Sequence, residues 1–172
     1  MDLRVRAIAS SDRMLLADDT IDLSDWREAL ARDGRPYGID DIITIRSRLG
    51  LLSPTLIDCT TDSELAGQYV RFLDAGFNIV AANKKANTMA HDYYLAMRDG
   101  EKRNFRKVLY ETNVAAGLPF IDTLLSLIRS GDELRTFEGI LSGSLSMIFG
   151  LLEDGTTLSQ AVARAMELGY TE

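Results

Sequence analysis

Residues 54–83, PTLIDCTTDSELAGQYVRFLDAGFNIVAAN, contain two short apolar runs separated by an amphipathic segment. The runs, 54–59 and 77–82, have the length of buried strands, and each ends in polar residues. Between them, Asp62 is placed to cap a helix that carries apolar residues at helical spacing and stops at Gly76. A strand, a helix and a second strand in this order predict a right-handed βαβ unit of a parallel sheet.

The same alternation continues on both sides of this unit. A helix is predicted over 89–98 and a strand over 105–110, while upstream helices are predicted around Trp26 and over 39–49. The segment 3–9 alternates apolar and polar residues and is also predicted to be a strand. This pattern indicates an α/β fold with a parallel sheet, in which ligands bind beyond the carboxyl ends of the strands.

The pattern changes after Gly117, where a different layer begins. Beyond it the sequence predicts a helix over 118–130, a strand over 135–141, and helices over 144–152 and 158–168. We therefore predict two domains, a partial Rossmann-like domain over 1–114 and the start of a second, α+β domain over 115–172.

Composition excludes several classes of protein. The 172 residues carry 26 acidic and 19 basic side chains, a net charge of −7, so neither nucleic acid nor an anionic membrane is an expected partner. No stretch reaches the roughly 18 apolar residues of a membrane span. Cys59 is the only cysteine, which excludes an intrachain disulfide and suits a reducing, cytoplasmic location. Cys59 itself is interpreted as a small buried residue of a strand, and His91 as an exposed helix residue.

Polar residues follow three of the predicted strands. Thr60 begins a polar turn that can hold an anion or a cofactor amide, or can merely cap the next helix. Lys84 and Lys85 can hold a substrate carboxylate or move a proton, or can be solvated loop lysines. Glu111, followed by a turn rich in carbonyl groups, can bind a hard cation or cap the following helix.

A fourth segment, GILSGSLSMIFG over 139–150, concentrates small residues at a predicted turn between a strand and a helix. Such a turn allows the backbone to approach a ligand closely, with hydroxyl groups supplied by Ser142 and Ser144. The alternative is a tight turn that a serine caps.

A complete dinucleotide-binding fold opens with a strand and a GxGxxG loop, and nothing before Leu3 can supply them. Strand 3–9 is therefore predicted to be the second strand of the parallel sheet. The residues after it include Ser10 and Arg13, which suit the 2′-phosphate of NADP, whereas Asp12 leaves NAD open.

Four motifs together resemble homoserine dehydrogenase: NKKANT (83–88), ETNVAAGLP (111–119), GILSGSLSMIFG (139–150) and GYTE (169–172). The segment around Trp26 and the strand end Asp58-Cys59-Thr60 are most similar to the dehydrogenase half of bifunctional aspartokinase-homoserine dehydrogenases. The resemblance covers essentially the whole chain.

The resemblance implies the interconversion of aspartate 4-semialdehyde and homoserine with NADP or NAD, in the biosynthesis of threonine and methionine. It implies a homodimer or larger homo-oligomer, an aspartokinase domain that can be fused to the same chain, and a monovalent cation, sodium in most relatives. It assigns the second domain to substrate binding and dimerisation.

The resemblance also assigns roles to single residues. Lys84 becomes the active-site lysine beside the nicotinamide, and Thr60 becomes a cofactor contact, in addition to Ser10 and Arg13 from the strand end above. The substrate pocket receives Gly143, Ser144, Tyr170 and Glu172, with Glu172 facing the substrate ammonium group. The cation site receives Glu111 and the main-chain oxygens of Val114, Ala116 and Leu118.

The ends of the sequence depart from the family pattern. The GxGxxG loop is missing, and the family continues past Glu172 into residues that carry much of the acid-base chemistry. We therefore expect these 172 residues alone to show little or no dehydrogenase activity and to bind the dinucleotide poorly. The alternative is a non-catalytic association module with the same fold.

Overall fold

The computed structural model describes residues 3–115, 117–139 and 142–171. The chain begins with strands β1 (Ala7–Ala9) and β2 (Met14–Leu16), which pair antiparallel as a hairpin. Helices α1 (Trp26–Asp33) and α2 (Ile39–Arg48) follow at the predicted places.

The prediction that strand 3–9 belongs to the parallel sheet is wrong. The chain reverses immediately after β1, because the Ser10 amide donates a hydrogen bond to the Arg13 carbonyl at 2.9 Å. A reversal this tight can join only antiparallel strands. The second strand of the hairpin, β2, was not predicted from the sequence, since three residues are too few to show a period.

A three-stranded parallel sheet forms the centre of the molecule. Its strands, in spatial order, are β3 (Thr55–Asp58), β4 (Asn78–Ala81) and β5 (Val108–Leu109). Four helices accompany these strands, namely α3 (Ser63–Ala66), α4 (Tyr69–Asp74), α5 (Lys85–Thr88) and α6 (His91–Asn104). The predicted α/β class and all three parallel strands are confirmed.

Two details of this part differ from the prediction. The helix expected between Asp62 and Gly76 is divided into α3 and α4, although Asp62 does cap its start by accepting hydrogen bonds from Glu64 N and Leu65 N. Cys59 lies just beyond β3 and is exposed, so its interpretation as a buried strand residue is wrong. His91, at the start of α6, is exposed as predicted.

The hydrophobic core lies between the parallel sheet and its helices. We call residues 54–113 the sheet region. Its fully buried side chains include Tyr69, Phe72, Leu73 and Met97, and the rings of Phe72 and Phe77 pack edge to face at 5.5 Å. The strands thus pack against the apolar faces of helices α4 and α6, whose opposite faces carry polar residues.

We call residues 117–171 the helical region. It contains α7 (Phe120–Arg129), α8 (Gly143–Glu153) and α9 (Leu158–Glu167), close to the predicted bounds. The strand predicted over 135–141 is wrong for 135–139, which have no regular structure; 140 and 141 lie outside the described residues. A strand needs a hydrogen-bonded neighbour, and no strand pairs with 135–139 in the part of the chain that the structure describes.

Helices α8 and α9 pack against each other through small residues. Ala161 and Ala165 of α9 are fully buried, and Thr157 opens this helix by bonding to Gln160 at 2.9 Å. Among the helices of the described residues, none is long and apolar enough to cross a membrane.

Candidate active site

The turns after β3 and β4 lie side by side at one edge of the sheet. Strands β3 and β4 are parallel neighbours in which Asp58 is paired with Ala81. Thr60 follows two residues after Asp58, and Lys84 follows three residues after Ala81, so both leave the sheet at its carboxyl edge. Both residues are exposed. The structure thereby brings together two of the predicted site residues where parallel sheets bind their ligands.

Asp58 supports these turns from inside the protein. Its side chain is 1% exposed, and each of its carboxylate oxygens accepts two hydrogen bonds. Oδ1 accepts from the amide and the hydroxyl of Thr60, each at 2.8 Å. Oδ2 accepts from Tyr69 Oη at 2.6 Å and from Asn83 Nδ2 at 3.0 Å. All four donors are uncharged, and together they replace the water that burial removes from the carboxylate.

Asn83 is the second buried polar residue, 2% exposed. Besides the bond to Asp58, its Nδ2 donates to the main-chain oxygen of Asp62 at 2.8 Å. Its Oδ1 accepts from the amide of Lys85 at 3.0 Å. The Asn83 side chain therefore joins the turn after β3 to the turn that carries Lys84.

Burial and the Asp58 carboxylate act in the same direction on Tyr69. Removal from water raises the pKa of the Tyr69 hydroxyl well above its usual range, and the hydrogen bond to Asp58 raises the same pKa further. The hydroxyl group thus stays protonated and continues to donate to Asp58 at any neutral pH.

The hydroxyl of Thr60 points inward rather than toward a ligand. Its single hydrogen is donated to Asp58, and its oxygen accepts from the amide of Asp62 at 3.1 Å. Thr60 is therefore held by the network, and what it presents at the exposed edge is its main chain and methyl group.

The turn between β1 and β2 contains the predicted phosphate-binding residues. Ser10 Oγ donates to Asp12 at 2.9 Å, and Arg13 Nη1 donates to the main-chain oxygen of Ala31 at 3.0 Å.

Tyr37 joins this turn through a 2.6 Å bond from its hydroxyl to the main-chain oxygen of Ser10. Burial raises the pKa of Tyr37, and the carboxylates of Asp62 and Asp12 add to that rise. Tyr37 thus lies within electrostatic reach of both the hairpin turn and the turn after β3.

Glu111 holds the start of helix α7. Its two carboxylate oxygens accept hydrogen bonds from Ile121 N at 2.7 Å and from Asp122 N at 2.9 Å. Capping of the next helix, one of the two interpretations of Glu111, is therefore observed. Each oxygen keeps a further lone pair for a cation, so the two interpretations are compatible.

Two of the other predicted cation ligands, Val114 and Leu118, follow the same turn. The main-chain oxygen of Leu118 accepts from Phe120 N at 2.8 Å, and Val114 follows the 3₁₀ turn Glu111–Asn113. Ala116 lies outside the described residues. Asn113 in this turn donates to the oxygen of Ala81, which fixes the turn to the end of β4.

Three of the predicted substrate residues, Gly143, Ser144 and Tyr170, lie at the start of α8 or contact it. The hydroxyl of Ser144 donates to the main-chain oxygen of Tyr170, and Gly143 is the first residue of the helix. Ser142 caps the helix by accepting from Leu145 N at 3.2 Å, as the alternative interpretation of this turn expects. Glu172 lies outside the described residues.

Asp58 and Asn83 belong to motifs that the sequence analysis quotes, but sequence reasoning assigned neither of them a role in the site. A signal was present, because Asp58 ends an apolar run and an acidic residue in a buried strand requires a partner. The sequence alone does not identify that partner, since Asn83 is 25 residues away.

Known homoserine dehydrogenases are similar to this chain over its whole length. The family model for the homoserine dehydrogenase NAD binding domain matches residues 1–111, and the homoserine dehydrogenase model matches 119–172. A bifunctional aspartokinase/homoserine dehydrogenase of Haemophilus influenzae is 46% identical over 172 residues, which cover all of this chain and 21% of that protein. A homoserine dehydrogenase of Schizosaccharomyces pombe is 34% identical over 175 residues, which cover 98% of this chain and 46% of that protein.

A solved structure shares the fold. The structure of a hyperthermophilic archaeal homoserine dehydrogenase in complex with NADPH superimposes with a TM-score of 0.75 at 22% identity, over 96% of this chain and 52% of that one. The chain therefore spans between about one fifth and about one half of the proteins it matches.

Proposed function

Because this chain belongs to the homoserine dehydrogenase family, we propose that it takes part in the NAD(P)-dependent interconversion of aspartate 4-semialdehyde and homoserine. The observation that carries the proposal is the adjacency of the Thr60 and Lys84 turns at the carboxyl edge of β3 and β4. Neighbouring parallel strands place a dinucleotide and its reacting end at this edge.

When bound, the nicotinamide cofactor supplies or accepts the hydride. Lys84 then acts on the oxygen of the substrate. In the direction of reduction its ammonium group binds the aldehyde oxygen and gives it a proton as hydride reaches the carbon; in the reverse direction the amine takes that proton back. The Ser10–Arg13 turn is proposed to hold the 2′-phosphate of NADP, while Asp12 keeps NAD possible at the same turn.

Two further sites complete the proposal. Gly143, Ser144 and Tyr170, with Glu172, bind the amino-acid part of the substrate. Glu111, with the main-chain oxygens of Val114, Ala116 and Leu118, binds a monovalent cation, which we propose to be sodium. The free lone pairs of the Glu111 carboxylate support this assignment.

The organisation of the whole protein is also proposed. Residues 1–114 form the cofactor part and 115–172 belong to the substrate-binding and dimerisation part. The name of the H. influenzae relative supports an aspartokinase joined to the same protein. We further propose that the protein acts in the cytoplasm, on the route to threonine and methionine. Exposed apolar residues on α7 and on either side of it support contact between two copies, namely Leu118, Leu127, Ile128 and Leu134.

Two adjacent lysines provide the test. We expect Lys84→Met to lower kcat for homoserine oxidation by about 100-fold or more, because proton transfer by a positioned group contributes at least that much. The measurement follows the absorbance of reduced cofactor with homoserine and NADP, on the protein expressed from its complete gene. Lys85→Met is the matched control, since Lys85 directly follows Lys84 and is exposed as well.

The outcome of this pair is decisive. Activity close to that of the parent in Lys85→Met, with loss in Lys84→Met, supports the assignment. Equal activity of the two variants contradicts the role of Lys84, and a parent protein that does not oxidise homoserine contradicts the proposed function.

A further inference from the structure

The Asp58 carboxylate is the point at which both turns of the candidate site are joined to the core. It lies at the end of β3, one residue before the exposed Cys59, and does not itself reach the exposed edge. Resting on the function proposed above, we propose that Asp58 is a positioning residue of the cofactor site. It holds Thr60 directly and holds the Lys84 turn through Asn83.

The first step concerns the number of hydrogen bonds that Asp58 accepts. Four donors converge on its two oxygens, from Thr60 twice, from Tyr69 and from Asn83, at 2.6 to 3.0 Å. Only an ionised carboxylate can accept all four, because an amide offers one oxygen and presents two hydrogens of its own. With an isosteric amide at position 58, at least one of the four donors therefore lacks an acceptor.

The second step concerns where those donors lead. Thr60 belongs to one turn, and Asn83 directly precedes Lys84 in the other. The main-chain oxygen of Asp58 also accepts from the amides of Ala82 at 2.9 Å and Asn83 at 3.3 Å. Loss of the carboxylate contacts consequently frees the Thr60 side chain and leaves the two turns joined by the weaker remaining link, the bond from Asn83 Nδ2 to the Asp62 oxygen, while the strand pairing of β3 and β4 persists.

The third step separates positioning from stability. Tyr69 donates to the same Asp58 oxygen as Asn83, but it lies on α4 in the core and belongs to neither turn. Tyr69→Phe removes one bond to the carboxylate and leaves the bonds to Thr60 and Asn83 in place. It is therefore the matched control for a change at Asp58.

The experiment compares Asp58→Asn with Tyr69→Phe in the protein expressed from its complete gene. The dissociation constant of NADPH is measured by fluorescence, kcat and KM for homoserine are measured by reduced-cofactor absorbance, and the melting temperature is measured for each variant. We expect Asp58→Asn to weaken NADPH binding or to lower kcat by about tenfold or more. Tyr69→Phe is expected to lower the melting temperature while its NADPH affinity and kcat stay within about threefold of the parent.

Two results overturn the inference. The first is an Asp58→Asn variant with the NADPH affinity and kcat of the parent. The second is a Tyr69→Phe variant that loses as much NADPH affinity and kcat as Asp58→Asn does. If Asp58→Asn does not fold, Asn83→Ala decides, because it removes the donor to Asp58 and to the Asp62 oxygen without placing a second buried carboxyl beside Asp58. The same loss in Asn83→Ala supports the inference, and values like those of the parent contradict it.

These results are distinguishable from failure of the proposed function. A parent protein that neither binds NADPH nor oxidises homoserine contradicts the function itself. A functional parent with an unaffected Asp58→Asn variant contradicts only the positioning role.

Discussion

The sheet region and the helical region differ in how their site residues are held. In the sheet region, Asp58 and Asn83 are buried, and five of their side-chain hydrogen bonds hold the exposed turns. In the helical region, the described contact between Ser144 and Tyr170 lies at the surface, and α7 and α8 have no fully buried residue. The comparison teaches that the geometry of the turns after β3 and β4 is set by the core beneath them, whereas the contact at the start of α8 has no comparable buried support among the described residues.

The apolar residues of the two regions show the same contrast. Phe72 is completely buried, while Phe149 of α8 is 56% exposed. Helix α7 is amphipathic, yet Leu127 and Ile128 are about half exposed. The helical region thus gains little from the burial of its large side chains, and its residues contribute less to stability than their type suggests.

The largest expected difference is between two phenylalanine truncations. Phe72→Ala leaves a cavity in the core of the sheet region and is expected to lower the free energy of unfolding by about 3–5 kcal/mol. Phe149→Ala removes a side chain that is already in water and is expected to cost less than about 1 kcal/mol. Urea unfolding followed by circular dichroism measures both. Equal losses would show that the two regions are packed alike.

A smaller difference is expected between two ion pairs with the same helical spacing. Glu101 binds Arg98 at 2.7 Å in a largely buried position and also accepts from Val108 N at 2.6 Å. Glu101→Gln is therefore expected to cost about 1–3 kcal/mol. The control is Glu167→Gln, whose pair with Arg164 is exposed and contributes less than about 0.5 kcal/mol. The same unfolding assay tests both; a larger loss in Glu167→Gln contradicts the contrast.

The smallest effect concerns alkaline pH. Burial raises the pKa of Tyr69 in the folded protein above its unfolded value of about 10, so the unfolded chain ionises first. The stabilisation is therefore complete below pH 10 and is lost as pH rises above it, by at most about 1.4 kcal/mol per pH unit. Tyr69→Phe should lose less stability than the parent between roughly pH 10 and 11. Parallel unfolding curves at the two pH values measure this, and an unchanged loss in the variant argues against it.

The sequence predicted most of the framework because that framework depends on local patterns. The runs 54–59 and 77–82 are continuous and apolar, so β3 and β4 were correctly assigned. Helices α7 and α9 follow from strong amphipathic periodicity. Lys84 and Thr60 were placed at one edge because parallel strands share their carboxyl ends.

What the sequence did not predict depends on contacts between distant residues. The predicted pairing of β1 was wrong because a strand pattern shows that a segment is extended but does not show which strand it pairs with. The hydrogen bonds of Asp58 were not predicted because the residues that donate them come from three separate elements. The strand over 135–139 was wrong since β-forming residues such as Thr136 and Phe137 form a strand only beside another one.

The most direct test is hydrogen exchange of the complete protein with and without saturating NADPH, read separately in the two regions. We predict slower exchange at the turns over 59–62 and 83–85 and at 10–13, while amides over 143–171 change little until homoserine is added as well. Two results would contradict the assignment of the cofactor to the edge that Asp58 supports. One is slower exchange with NADPH only within 117–171; the other is saturating NADPH binding with unchanged exchange at the turns after β3 and β4.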